Sequence, residues 1–495
     1  SRRQRQMCIR DRVIMSLKPT IGMETHVELD TESKMFCSCK VVETDEPNIS
    51  LCPTCLGLPG ALPVPNKKAI EYIVMLSLGA NCSITKEGMF HRKNYFYPDL
   101  PKNYQISQFD FPVGVEGSLE IVIEDSLHTV AIERVHMEED TGKSIHLGSG
   151  RIDSATSTLL DFNRSGVPLV EVVTKPIISS AKMAVAYIEE LRQLVIDLGI
   201  SKGKLEKGNL RFDANISVAE EGSDELGVKV EIKNMNSLKS LEKAIDYEIL
   251  RQTKMVQDKE SIIQETRHWD ENKQVTLSMR TKEGSADYRY FSDPDLPNMV
   301  INDEFIEISQ NQIKETPEKK RKTLLDTGLS LSDSNYLDKG QRWLYELYLS
   351  TVKETGDCKS TFNFLTGELQ GQMRKAEISE LPQWLNSEKL ASLINLFEDN
   401  EVSFTSAKDI LAKLLIEDLD PKSFASDNNL IQSSDNDEIK ALVTSVINEN
   451  QDIVERLENP EDKLVGFLVG QVMKSSESKV NPGSVKEVLL KELFG

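Results

Sequence analysis

The sequence predicts an α+β protein, with a mainly antiparallel sheet backed by helices and then an all-α region. Three observations carry this. Short segments of strict alternation recur between residues 21 and 233, each with one apolar and one polar face, as in an antiparallel sheet covered on one side. Amphipathic helical stretches are interleaved with them. From about residue 300 the strand patterns vanish, and helices follow one another to residue 495. A chain of this length exceeds one core and should divide into domains. The expected divisions are an extension at 1–14, a sheet-bearing domain at 15–300, a helical domain at 301–404 and a helical tail at 405–495.

Composition narrows the function. A net charge of −21 disfavours non-specific attraction to nucleic acid, so any such contact must come from local basic patches. No run approaches the roughly 18 apolar residues of a membrane span. Seven cysteines make an odd disulfide set with no apolar signal segment before them, which favours a reducing cytoplasm and a metal role. The Arg-rich residues 1–14 lack a signal-type core and read as extraneous to the fold.

Taken in order, Ile21-Gly-Met-Glu-Thr-His-Val-Glu-Leu29 alternates cleanly. Ile21, Met23, Val27 and Leu29 face one way, and Glu24, His26 and Glu28 the other. Next come Cys37, Cys39, Cys52 and Cys55, two close pairs supplying four thiolates at a spacing suited to tetrahedral zinc; a redox pair or buried thiols is the competing reading. No open ligand position is implied, so zinc would be a structural staple over 37–55. Asn66 can cap a helix that stops at Gly79.

His91 to Gln108 breaks every period and is dense in aromatics, prolines and basic residues. It reads as an ordered loop, used either for binding or for packing. Leu119–Glu124 and Thr129–Val135 read as neighbouring strands. A helix from Ser179 or Ser180 carries Ala184, Tyr187, Ile188, Leu191, Leu194, Val195 and Leu198 on its core stripe and ends at Gly199. Asn209–Val218 alternates with Arg211, Asp213, Asn215 and Ser217 on one face. Val228–Lys233 repeats the pattern before another helix. Residues 266–297 form a second Arg- and aromatic-rich irregular region.

The centre of the chain is Ala131 to Pro176. Glu138-Glu-Asp-Thr-Gly-Lys143 is an acidic turn with a lysine behind it. Acidic groups at a strand end can hold a hard cation, and Lys143 and Arg164 can neutralise phosphate oxygens. Pro168–Val173 reads as a strand with Glu171 on one face and Val170 and Val172 on the other. A carboxylate there needs a partner, either a basic side chain or a metal. With Glu24, His26 and Glu139 also available, a mostly oxygen ligand set points to magnesium rather than zinc. No Walker-type glycine-rich loop is present, so any ATP must be held another way.

In the tail, Gly466 and Gly470 would permit close helix contact, and Asn481-Pro482 starts the last helix. Lys474, Lys479, Lys486 and Lys491 make this end locally basic; an ordinary solvated face is the alternative for each.

These stretches carry a resemblance. Leu160-Asp-Phe-Asn-Arg-Ser-Gly-Val-Pro-Leu-Val-Glu-Val resembles the signature of the B subunits of tRNA-dependent amidotransferases. Ile21–Leu29, Arg92–Lys102, His136–Lys143, Val230-Glu-Ile-Lys-Asn-Met-Asn-Ser, Asp287-Tyr-Arg-Tyr-Phe and Gly466–Lys474 are similar to other segments of that family. The likeness spans about Met15 to Gly495.

The resemblance implies a cradle-like catalytic domain related in fold to glutamine synthetase, then helical domains whose tail touches tRNA. It implies ATP-dependent conversion of misacylated Glu-tRNA(Gln) or Asp-tRNA(Asn) to the amide, through phosphorylation of the side-chain carboxylate. Glu24, His26, Glu139 and Glu171 resemble the family's Mg²⁺-binding set. Lys143, Asn163 and Arg164 are candidates for phosphate contact, and Lys93 and Asp287 for positions near the ammonia passage. Lys474 and Lys479 are the tail's candidates for tRNA. Some members lack the cysteines, so zinc would be structural.

No cysteine glutaminase arrangement or Ser-Ser-Lys amidase signature is found. The resemblance therefore implies an amidase-type A subunit as ammonia source and a small C subunit, in a heterotrimer. The archaeal E subunit carries an inserted domain for which this chain leaves no room. A zinc-stapled tRNA-binding scaffold and a ligase for a small carboxylate are the two other functions weighed.

Overall fold

The computed structural model describes residues 17–148, 155–223, 225–281, 288–432, 436–457, 463–476 and 480–494. The expectations for residues 1–14, Asp287 and Lys479 fall outside them. The chain forms two compact units, one up to Lys320 and one from Arg321.

In the first unit, β1 (Leu17–Glu28) precedes helix α1 (Lys67–Gly79) and the short strands β2 (Ser83–Ile84), β3 (Glu87–Gly88), β4 (His91–Asn94) and β5 (Tyr104–Ser107). A long hairpin follows, β6 (Gly114–Ile123) with β7 (Ser126–Glu139), then the ribbon β8 (Lys143–Gly148) and β9 (Ala155–Asp161), and β10 (Pro168–Thr174). Helix α2 (Ala181–Asp197) leads to β11 (Leu210–Glu220) and β12 (Val230–Lys233), and α3 (Leu238–Gln257) to β13 (Glu265–Asp270) and β14 (Val275–Thr281). β15 (Phe291–Ser292), β16 (Met299–Val300) and α4 (Asp303–Gln312) close the unit.

Twelve of these strands form one sheet, whose main path runs β14-β13-β12-β11-β1-β10-β7-β5-β4-β15, with β6 on β7 and β2 on β6. Every pairing is antiparallel except β12 with β13. β1 lies at the centre, between β10 and β11. Its alternation is realised as expected: Ile21, Met23 and Val27 are fully buried against the helices, while Glu24, His26 and Glu28 face the other side.

The helix stripes fill the core behind the sheet. Ala184, Tyr187, Ile188, Leu191, Leu194 and Val195 of α2 join Ile73 and Leu76 of α1 and Leu241 and Ile245 of α3 in one apolar cluster. Side-chain caps set the helix starts. Asn66 Oδ1 accepts from the amides of Lys68 and Ala69, Ser180 from Met183 and Ser237 from Ser240, satisfying amides that have no partner within the helix. Helices packed on one face leave the other face of the sheet for polar side chains, and the candidate site lies there.

From α5 (Pro317–Asp326) onward the described residues are helical. α6 (Leu331–Asp338), α7 (Arg342–Thr355), α8 (Cys358–Asn363), a π-helical turn (Phe364–Leu369), α9 (Gln370–Lys375), α10 (Ser387–Glu398), α11 (Phe404–Leu414) and α12 (Pro421–Asp427) share a core from Leu324 to Ala425. α13 (Asn436–Glu449), α14 (Gln451–Val454), α15 (Lys463–Ser475) and α16 (Pro482–Phe494) build a separate core from Ile439 to Leu489. The expected boundary at 404/405 falls inside the first core, because Ala407, Ile410 and Leu411 pack there.

Asn481 caps α16 through Gly483 and Ser484. Gly466 and Gly470 depart from the expectation: among the described residues, nothing beyond their own helix backbone and chain neighbours lies within 4 Å of a β-carbon built at either. α15 packs through Val465, Leu468 and Val472 instead.

Candidate active site and metal groups

Sheet register assembles the site. Arg211 of β11, His26 of β1, Glu171 of β10 and His136 of β7 stand opposite one another in four neighbouring strands. His26 Nε2 lies 3.7 Å from Glu171 Oε2 and 3.7 Å from Glu138 Oε2. His136 Nε2 lies 3.2 Å from Glu171 Oε2 and 3.6 Å from Glu138 Oε1. Lys93 Nζ of β4 is 3.4 Å from Glu138 Oε1, which also accepts from Ser107 Oγ at 2.9 Å. His26, Glu138 and Glu171 present ligand atoms all within 4.8 Å of one another.

A second acidic group sits further along the sheet. Glu24, Asp213 and Glu231 also bring their ligand atoms within 4.8 Å. Lys233 Nζ lies 2.5 Å from Asp213 Oδ2 and 2.9 Å from Glu231 Oε1, and Asn215 Nδ2 donates to Glu24 Oε1 at 2.8 Å. A cleft of ≈ 400 Å³ reaches both groups, with His26, Glu138, Asp213 and Lys233 on its walls.

The electrostatics follow from crowding buried charges. Burial pushes the Glu171 carboxyl up, but His136 and then His26 outweigh it and bring it down to about 2. Burial likewise opposes ionisation of Glu138, and Lys93 and His136 hold it well below the usual carboxylate range. His136 is disfavoured as a cation by burial, yet Glu171 and Glu138 raise it to about 9. Lys93 is held above the ordinary lysine value by Glu138 against its own burial. The first group thus keeps its carboxylates ionised, and in the second, two carboxylates flank a lysine. Two carboxylates with one imidazole, and three carboxylates, are donor sets for hard divalent ions. The second set outnumbers the single lysine within it, so a divalent ion there would relieve like-charge repulsion.

The predicted residues divide as follows. His26 and Glu171 meet. Glu24 belongs to the second group. Glu139 joins neither: next to Glu138 on a strand, it points to the opposite face, where its Oε1 pairs with Lys102 and accepts from the Ile106 amide at 2.9 Å.

Lys143, Asn163 and Arg164 border a different cavity of ≈ 660 Å³, shared with Glu28, Asp161 and Lys207. Asn163 is engaged as a brace, accepting from the amides of Ile49 and Ser50 and donating to Glu46 O. Arg164 donates to Thr141 O and Gly142 O and pairs with Asp140. Lys143 is exposed.

Lys93 also lies over the Tyr288 ring, 5.3 Å from its centre. The two irregular regions meet there, with β4 pairing with β15 and Phe109 stacked on Tyr290 at 4.3 Å.

Sequence reasoning passed over Glu138, His136, Glu231 and Lys233 as site residues. Period two alone puts His136 and Glu138 on one face, and Glu231 with Lys233; what it lacked was the register that sets those faces beside β1.

Cys37, Cys39, Cys52 and Cys55 bring their sulfurs within 4.8 Å of one another, a cluster that can hold a metal and is consistent with structural zinc. Cys55 is pulled down to about 5, chiefly by the hydrogen bond from Cys37. In the tail, Lys474 occupies the last turn of α15. Among the described residues no helix is long and apolar enough to cross a membrane.

Comparison with known proteins adds to this geometry. Residues 19–307 match the family model described as the GatB/GatE catalytic domain, and residues 346–493 the one described as the GatB domain. The B subunit of the aspartyl/glutamyl-tRNA(Asn/Gln) amidotransferase of Picosynechococcus sp. is 44% identical over 485 residues, covering 96% of this chain and 97% of that protein. The protein of the same name from Crocosphaera subtropica is 43% identical over 482 residues, covering 96% of this chain and 97% of its own length. That from Thermodesulfovibrio yellowstonii is 42% identical over 482 residues, covering 97% and 100%.

Proposed function

The chain belongs to the GatB/GatE family, and from that premise we propose that it is the amide-forming subunit of an ATP-dependent tRNA amidotransferase. Its substrate would be misacylated Glu-tRNA(Gln), Asp-tRNA(Asn) or both. The observation that carries this reading is the pair of acidic groups His26/Glu138/Glu171 and Glu24/Asp213/Glu231, of which His26, Glu138 and Asp213 line one cleft.

In the first half-reaction, a side-chain carboxylate oxygen attacks the γ-phosphorus of ATP, giving an acyl phosphate and ADP. In the second, ammonia attacks the acyl carbon, and phosphate leaves carrying the proton that the nitrogen loses as the amide forms. The two groups are the places where Mg²⁺ would be held, and bound there it would neutralise phosphate oxygens. The chain's own cations serve the same end. Arg211 Nη2, 2.8 Å from Asp140 Oδ2, and Lys233 border the cleft at fixed positions. Lys93, tied to Glu138 and covered by Tyr288, closes one wall with aromatic rings and limits water there. Ammonia would arrive on that side.

The partners would be an amidase-type A subunit that releases ammonia from glutamine, and a small C subunit. Misacylated tRNA would be held partly by the helical tail, where Lys474 is the described candidate. Lys143, at the border of the larger cavity, remains a candidate for the nucleotide's phosphates. The test is amide formation on Glu-tRNA(Gln) with ATP, Mg²⁺ and free ammonium, which bypasses the glutaminase. Product that is lost in Glu171→Gln supports the reading. Retained tRNA binding with no product in the full complex would overturn it in favour of a scaffold.

A further inference from the structure

A short series of contacts runs from the cysteine cluster to the cleft, and Lys102 is its middle member. Lys102 lies between β4 and β5 with its side chain 7% exposed, and its ammonium is paired with Glu139 Oε1. Its stem packs on Gly57, two residues after Cys55. A β-carbon at Gly57 would fall 2.5 Å from Lys102 Cγ, and the residue's φ of +66° favours glycine there in any case. Gly57 closes the turn that contains Cys55, its amide donating to Thr54 O at 3.0 Å. The Lys102 ammonium also lies 6.0 Å from the ring centre of Phe36, the neighbour of Cys37.

Glu139 and Cys55 also border one small space beside Gly166. A β-carbon at Gly166, where φ is +86°, would lie 3.7 Å from Cys55 Cβ and 3.8 Å from Glu139 Oε2. Glu139 Oε1 is thus held by the Lys102 ammonium and by the Ile106 amide at 2.9 Å, and the space beside Gly166 separates its other oxygen from Cys55. Gln105 joins Glu139 to its neighbour, with Nε2 donating to Glu139 O at 2.7 Å and to Glu138 Oε2 at 3.1 Å. Adjacent strand residues point to opposite faces. Clamping Glu139 behind the sheet therefore fixes the backbone rotation that aims Glu138 at His26.

We propose that Lys102 is a positioning residue: it holds Glu139 so that Glu138 points into the cation group, and the metal-loaded cysteine cluster holds Lys102. This rests on reading His26, Glu138 and Glu171 as cation ligands. Lys102 acts through Glu139 and touches no reacting atom.

The experiment uses the full chain and two readouts that need no turnover: Mn²⁺ affinity by calorimetry, and zinc release to a coloured chelator. Removing one partner would strand a buried charge, so the informative variant is Lys102→Met/Glu139→Gln, which neutralises both. It should bind Mn²⁺ about tenfold more weakly, the effect of losing an outer partner of a metal ligand, and release zinc faster. Lys102→Arg, which keeps the ion pair, should keep both at wild-type values. Stripping zinc from the wild type should weaken Mn²⁺ binding to the same extent, with little further effect on the double variant. Wild-type Mn²⁺ affinity in the double variant overturns the positioning role, and unchanged zinc release overturns the link to the cluster. If wild-type Mn²⁺ binding does not depend on Glu171, the cation reading itself fails. The zinc-release arm then decides alone, and unchanged release overturns the proposal.

Discussion

His26 of β1 and Glu171 of β10 face each other across one rung of the sheet, with Nε2 and Oε2 3.7 Å apart. Neither lies on a loop. Both are held by the ladder of the central strands, so the geometry of the cleft depends on sheet register.

That relationship makes Glu171→Gln the most direct chemical probe. The variant keeps size and shape but weakens the ligand. Ammonium-dependent amide formation should fall by at least about 100-fold, at the upper end of what outer-partner losses cost a metal site. Binding of Glu-tRNA(Gln), followed by filter retention, should stay close to wild type. Weakened tRNA binding of equal size would place Glu171 in RNA recognition instead.

Asp213→Asn tests the second group independently. Asp213 shares Lys233 with Glu231, so the substitution removes one ligand charge without stranding the lysine. The Mg²⁺ concentration for half-maximal rate should rise about tenfold, with the rate at saturating Mg²⁺ less affected. A Mg²⁺ titration superimposable on wild type would count against a cation there.

Glu248 offers a stability prediction away from the cleft. Its side chain is fully buried in α3, bonded to Arg251, Gln252 and Thr276, with Arg267 at 3.7 Å. Glu248→Ala leaves Arg251 without its carboxylate partner, and should destabilise the first unit by about 3–5 kcal/mol. Urea unfolding monitored by circular dichroism would measure it. A loss under about 1 kcal/mol would mean the network relaxes to water.

Truncation after Gln432 tests the tail. It removes the Ile439–Leu489 core while leaving the Leu324–Ala425 core intact. Affinity for tRNA should drop, and its dependence on salt concentration should flatten, since each lost lysine–phosphate contact removes roughly one unit of slope. An unchanged slope would assign the electrostatic contacts to other parts of the chain.

The fold was legible where a single periodicity governed a segment. β1 and β11 alternate without interruption, and the α2 stripe has one period from Ala184 to Leu198. The site was legible at His26 and Glu171, each the polar member of an apolar strand. It was ambiguous at Glu138 and Glu139, because two adjacent carboxylates point to opposite faces, and only the pairing of β7 with β10 decides which one meets His26. Glu231 was hidden for another reason: it is distant in sequence from Glu24 and reaches it only through the β11–β12 pairing. The tail glycines meet no packed neighbour among the described residues, because spacing defines a face but not what lies against it.

A parallel pair of strands cannot be closed by a tight turn. Among the described residues β12 and β13 are the one such pair in the sheet, and α3 supplies the crossover between them. The edge beyond β12 must therefore wait for α3 to dock. Thr266 Oγ1, which donates to Glu231 at 2.8 Å, reaches its partner only after that docking. Pairings across long sequence separations form slowly because loop entropy is lost before contacts repay it. The Thr266–Glu231 bond should thus form only late in refolding, after the central strands have already set His26 against Glu171 and β12 has paired with β11.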